Sequence, residues 1–207
     1  MKSYDISEIK RKFGHLLSYL NYICEINIAS INYYIQHHPY FDFLENDRVD
    51  VFLSDNVSEI CFKIFGAREK KTDTIIVDES FMYAGYSYIS ASISLDIPLR
   101  KLFLLFPLEK MLPLYPTYHE MSPFRIIERI NEEIKDNSAF NILLNNSNYS
   151  LFQISKITGL DRRFLTSLKT DSSLEDKLTK NDVELLSTLL ESDEVMFVHS
   201  KFSSFNL

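Results

Sequence analysis

Twenty residues, SLFQISKITGLDRRFLTSLK from Ser150 to Lys169, leave this chain few folds to choose from. The Ser150 hydroxyl can cap a helix, and Leu151, Ile154 and Ile157 then fall on one face at helical spacing. Gly159 stands where the chain must reverse, and glycine accepts the left-handed backbone that such a turn uses. Asp161 can cap a second helix, whose apolar positions are Phe164, Leu165 and Leu168. Arg162, Arg163, Thr166, Ser167 and Lys169 are left as its polar side chains. The spacing therefore predicts two short helices joined by a tight turn, one face of each committed to a core.

Charge singles out the same stretch. The chain of 207 residues carries 22 basic and 29 acidic side chains, a net −7. Free-standing nucleic-acid binders usually carry a basic excess, so a large DNA-coating surface is not expected. Between Ser150 and Thr170, however, Lys156, Arg162, Arg163 and Lys169 stand against Asp161 alone, a local balance of +3. A small DNA-reading surface would have this asymmetry, although a window of this length also fluctuates by a few charges.

On these residues the stretch resembles the helix-turn-helix of Cro/CI-type phage and plasmid repressors. The family pattern has an apolar residue, a small residue, and a glycine four positions after the small one. An aliphatic residue follows the glycine, and two further apolar positions come six and nine residues after it. Ile154, Ser155, Gly159, Leu160, Leu165 and Leu168 occupy those positions. With flanking helices the resemblance extends from Ala139 to Leu190. It implies that the second helix enters the major groove of double-stranded DNA. Arg162 and Arg163 would then meet guanine edges or phosphates, and Thr166 and Ser167 bases or backbone. Lys169 and Lys156 would meet phosphates. It also implies a homodimer, because one such motif reads few base pairs. Phe164 departs from the family, which often has a small or polar residue there; the ring either packs inward or marks a surface turned toward protein.

The rest of the chain predicts a mainly α protein. It has only four glycines and is rich in Ile, Leu, Phe and Tyr, which favours helices over a turn-rich sandwich. Ile6 to Gln36 predicts one long helix or two, capped by Ser7, with any break near Glu25 to Asn27 and an end before Pro39. Val49 to Phe65 predicts an amphipathic helix stopped by Gly66. Its flanking acids, Asp42, Glu45, Asp47, Asp50, Asp55 and Glu59, form either a solvated face or a mimic of phosphates toward a basic partner. Thr74 to Val77 suits a short strand or a helix lead-in. Ser80 to Leu95 favours a helix over a strand, for want of a pairing strand, and Ala84, Gly85, Ala91 and Ser92 would let it pack closely. Pro98 to Pro116, with four prolines in an apolar run, predicts a bent connection closing a core, or else a rigid partner-binding surface. Pro98 suits a first helical turn there.

Eleven of the twelve tyrosines precede residue 121. That shift predicts a boundary near Tyr118 to Ser122, dividing a helical partner-binding or effector part, residues 1–121, from a DNA-binding part, residues 122–207. Ser122 and Pro123 open a helix with Phe124, Ile127, Ile130 and Ile134 on one face. Ala139 to Leu144 predicts a scaffold helix. Thr179 with Asp182 predicts a capping box before a packing helix through Val183, Leu185, Leu186, Leu189 and Leu190.

No catalytic arrangement stands out: there is no phosphate loop, dinucleotide fingerprint, paired zinc spacing or nucleophile elbow. No cofactor and no metal are expected. The adjacent His37 and His38 point in different directions on a helix, which suits a surface or turn better than a metal site. Cys24 and Cys61 have no repeated spacing and predict two reduced thiols. The apolar run Leu102 to Leu108 is too short to span a bilayer, and charges crowd the first twelve residues, so a cytoplasmic protein without membrane contact is expected. Taken together, these features predict a sequence-specific transcriptional regulator of a phage or plasmid. The organisation also looks like that of some anti-CRISPR proteins of mobile elements. That resemblance implies an N-terminal part that inhibits a Cas9-type nuclease and a helix-turn-helix that represses its own operon.

Overall fold

In a computed structural model the described residues are 5–44, 49–66, 77–135 and 137–197. They form α-helices and short 3-10 turns, with no strand among them. Helix α1 (Ile6–Tyr22) starts one position before the expected cap: the Asp5 carboxylate accepts the Ser7 N–H at 2.9 Å, so Asp5 takes the cap expected of Ser7. The chain then breaks where the pattern weakened. Glu25 adopts a left-handed φ of 53°, and α2 (Ile28–His37) starts afresh with Asn27 as its cap. A 3-10 turn, Pro39–Leu44, follows.

The expected helix over 49–65 is two helices, α3 (Val49–Ser54) and α4 (Val57–Phe65). Asn56 and Glu59 form a reciprocal capping box, which fixes a new helix start inside an otherwise continuous apolar pattern. Gly66 ends α4 at φ 61°. The strand considered over Thr74 to Val77 lies outside the described residues except for Val77.

Helix α5 (Glu79–Leu95) is the 17-residue element whose helical character the alternating serines obscured. It crosses α1 almost backbone to backbone. A Cβ added at Gly85 would sit 2.4 Å from the Gly14 Cα, and one added at Gly14 would sit 2.9 Å from the Met82 Cα. Neither position can carry a side chain without separating the helices.

The proline-rich stretch resolves into α6 (Leu99–Leu105), α7 (Leu108–Met111), a 3-10 turn and α8 (Tyr115–Tyr118). Pro98 stands just before α6 instead of in its first turn, and Pro107 separates α6 from α7. Leu99, Leu102, Phe103, Leu105, Phe106, Leu108 and Met111 are buried, so the bent connection does close a core. The Tyr88 ring stacks on Phe103 with centroids 3.9 Å apart, and its hydroxyl donates to the Phe106 carbonyl at 2.7 Å.

Helix α9 (Pro123–Ile134) begins on Ser122 as expected, and Ile127, Ile130 and Ile134 pack inward as expected, but Ile126 replaces Phe124 on the buried face. Ile126, Ile130 and Ile134 join the first core, while Phe124 is 73% exposed. The inward stripe follows i, i+4, i+8, and Phe124 at the second helical position falls off it. Arg125 and Arg129 are answered on the same helix by Glu128 and Glu133.

A second core begins at Ala139. It gathers α10 (Ala139–Asn146), α11 (Leu151–Thr158), α12 (Arg162–Leu168), a 3-10 turn Ser172–Lys177, α13 (Lys180–Leu189) and a last 3-10 turn, Glu194–Phe197. Ala139, Phe140, Ile154, Leu165, Leu168, Leu186, Met196 and Phe197 are at its centre. Leu104 of α6 packs against it from the first half.

Candidate nucleic-acid interface

Local chemistry builds the Ser150–Lys169 stretch as its residues suggest. Ser150 and Gln153 close a capping box at the start of α11, with the Gln153 N–H donating to the Ser150 hydroxyl at 3.3 Å. Gly159 ends α11 in the left-handed region, φ 77°, where any other L-residue would be strained. The Ser155 hydroxyl donates to the Leu160 carbonyl at 2.6 Å, tying the turn back to α11. Asp161 caps α12, accepting the Arg163 and Phe164 N–H groups at 2.7 and 3.2 Å.

These bonds decide which way the side chains point. Ile154, Leu165 and Leu168 are fully buried, and Leu151, Leu160 and Phe164 pack against the same core half-buried. Phe164 thus takes the inward of its two alternatives. Ile157, expected on the buried face of α11, is 51% exposed instead. Phe152 is 62% exposed as well. A short helix anchored mainly through Ile154 has a narrow contact stripe, and residues two before and three after lie beyond it.

Arg162, Arg163, Thr166 and Ser167 are all exposed on α12, and Lys156 is exposed on α11. Lys169 is half-buried at the end of α12, and its carbonyl accepts the Ser138 hydroxyl at 3.1 Å. The Thr166 hydroxyl donates to the Arg162 carbonyl at 2.8 Å. Among the described residues, Arg162, Arg163, Lys156 and Lys169 have no side-chain hydrogen bond or ion pair, in contrast to the arginines of α9. Arg162 and Arg163 on α12 and Lys156 on α11 are therefore exposed cations without internal partners, and Phe152 and Ile157 of α11 are exposed as well.

Other candidate features have structural partners. Asp55 accepts from Lys63 at 2.7 Å and from the Tyr40 hydroxyl at 2.8 Å, Asp42 pairs with Arg100, and Glu59 closes the α4 cap. Three acids of the supposed phosphate-mimicking strip are therefore engaged internally; Glu45 and Asp47 lie outside the described residues. Burial lowers the His37 imidazole, with Asp193 at 3.8 Å opposing and Arg100 adding to the shift. No cluster of three or more His, Cys, Asp or Glu fit for a metal occurs among the described residues. Nor is any helix among them long and apolar enough to cross a membrane.

The two cysteines are neighbours in space, which their spacing in sequence did not suggest. Cys24 and Cys61, 37 residues apart in sequence, meet sulfur to sulfur, with their Cα atoms 7.7 Å apart, wider than an ordinary disulfide spans. Packing of α4 on α1 brings them together, and no spacing rule could have shown that. The ion pairs of the buried Arg100 and Lys101 were likewise missed, because their partners are 58 to 93 residues away in sequence.

No protein-family model matches the chain, and neither a curated protein nor a solved structure does.

Proposed function

We propose that the protein is a double-stranded-DNA-binding regulator that reads sequence through α12. The observation carrying this reading is the open row of Arg162, Arg163, Thr166 and Ser167 on a helix whose opposite face, Leu165 and Leu168, is fully buried. A helix anchored in this way can enter the major groove without unfolding its support. The two guanidiniums suit bidentate contacts with guanine, and Thr166 and Ser167 suit shorter contacts to bases or backbone. Lys156 and Lys169 suit phosphates, which position the helix without specifying sequence. Two copies would place two such helices about 34 Å apart, one turn of the duplex. The nuclease-inhibitor reading has no comparable observation behind it, since much of the acidic strip is engaged within the protein.

The test is a gel-shift of the full chain against DNA from upstream of its own coding region, with selection from a randomised duplex pool alongside. A retarded complex that weakens steeply as salt rises is expected. If no sequence is enriched, and the Arg162→Ala/Arg163→Ala variant retards DNA as well as the parent chain does, the reading is wrong.

A further inference from the structure

Helix α6 touches both cores, and two adjacent cations on it are buried. Arg100 is 4% and Lys101 1% exposed in their side chains. Lys101 pairs with Glu175, itself fully buried in the 3-10 turn directly after α12. Arg100 pairs with Asp193, just before the last 3-10 turn, and with Asp42 from the 3-10 turn of the first half. Its Nε also donates to the Gln36 carbonyl at the end of α2, at 2.8 Å. Neighbouring residues of one helix thus grip the second half at two separate points, while the same helix is seated in the first core through Leu99, Leu102 and Phe103.

Apolar surfaces tolerate sliding, because many registers bury similar area. A buried ion pair does not, because leaving either charge buried and unpaired is costly, so it admits one register. We propose that the Arg100–Lys101 clasp is a coupling device: it locks the second core, and α12 with it, to the first core, so that the two halves open and move as one body. The orientation of α12 is then set from the N-terminal half. The proposal does not depend on what α12 contacts.

The experiment is amide hydrogen exchange by mass spectrometry on the full chain across a urea series, comparing peptides from α1 and α5 with peptides from α10 to α13. In the unaltered chain the two sets are expected to lose protection at one common midpoint. In Glu175→Gln, peptides of the second core should lose protection at clearly lower urea while those of α1 and α5 stay protected. Asp193→Asn, whose carboxylate is 42% exposed, is the milder variant and serves if Glu175→Gln does not fold; it should separate the midpoints in the same direction. Separate midpoints in the unaltered chain would overturn the proposal. So would coincident midpoints in the folded Glu175→Gln variant, or in Asp193→Asn where that variant is the one read.

Discussion

Arg162 and Arg163 stand next to each other, both exposed and both without internal partners. Replacing either by alanine should leave the unfolding midpoint unchanged, because nothing in the protein is lost with it. If each reads a base, each replacement should weaken binding to the selected DNA by about 1–3 kcal/mol and relax preference at one position. Lys156→Ala should instead weaken all sequences alike and reduce the slope of log affinity against log salt by about 1, measured by anisotropy titration at several salt concentrations. Gly85 gives the opposite kind of prediction. Its hydrogen atom is all that fits against the Gly14 backbone, so Gly85→Ala should lower stability by about 1–3 kcal/mol or more in urea unfolding. The small residues along α5 were visible in sequence as a close-packing signal; that Gly14 is their counterpart was not.

At the level of elements, α11 depends on one fully buried side chain, and its junction with α12 on one turn. Ile154→Ala removes the fully buried centre of α11 and should cost about 2–5 kcal/mol, read as a shift in the denaturation midpoint. Gly159→Ala should cost less, about 1–2 kcal/mol, because no atom lies within 4 Å of the added Cβ and only the left-handed φ of 77° resists it. If Gly159→Ala proved the more damaging of the two, the turn would be carrying more than backbone geometry. Caps and stops here were legible because they act over four residues: Ser150, Gly159, Asp161, Ser122 and Thr179 each take the role their position suggests. Where an element differed from expectation, a competing local bond won, as at Asp5 over Ser7 and at Asn56 inside the pattern of α3 and α4.

The molecule as a whole should respond to acid through carboxylates that are engaged within it. Burial alone would push the Asp55 carboxyl up, but hydrogen bonds from Lys63 and Tyr40, with the charges of Lys63 and Lys12, outweigh it and hold the group below its ordinary value. Asp78 is held down similarly: burial opposes, and bonds from Ser80 and Tyr22 prevail. A carboxyl depressed on folding contributes stability that is present above its unfolded value, about 3.9, and is lost as pH falls through the folded value. Urea midpoints should therefore drop as pH falls below about 4. Asp55→Asn should be less stable near neutrality and lose less on acidification than the parent chain. Equal acid slopes in the two proteins would show that Asp55 does not contribute in this way.

Helical class, most caps, turn glycines and the polar face of α12 follow from the sequence alone, since each depends on residues within a few positions of one another. The tertiary structure decided the rest: the approach of Gly14 to Gly85, the meeting of Cys24 and Cys61, the choice of Ile126 over Phe124 on α9, and the grip of α6 on Glu175 and Asp193. These depend on which surfaces meet after the helices have formed, and a buried charge reveals its partner only when the chain between them has been folded out of the way.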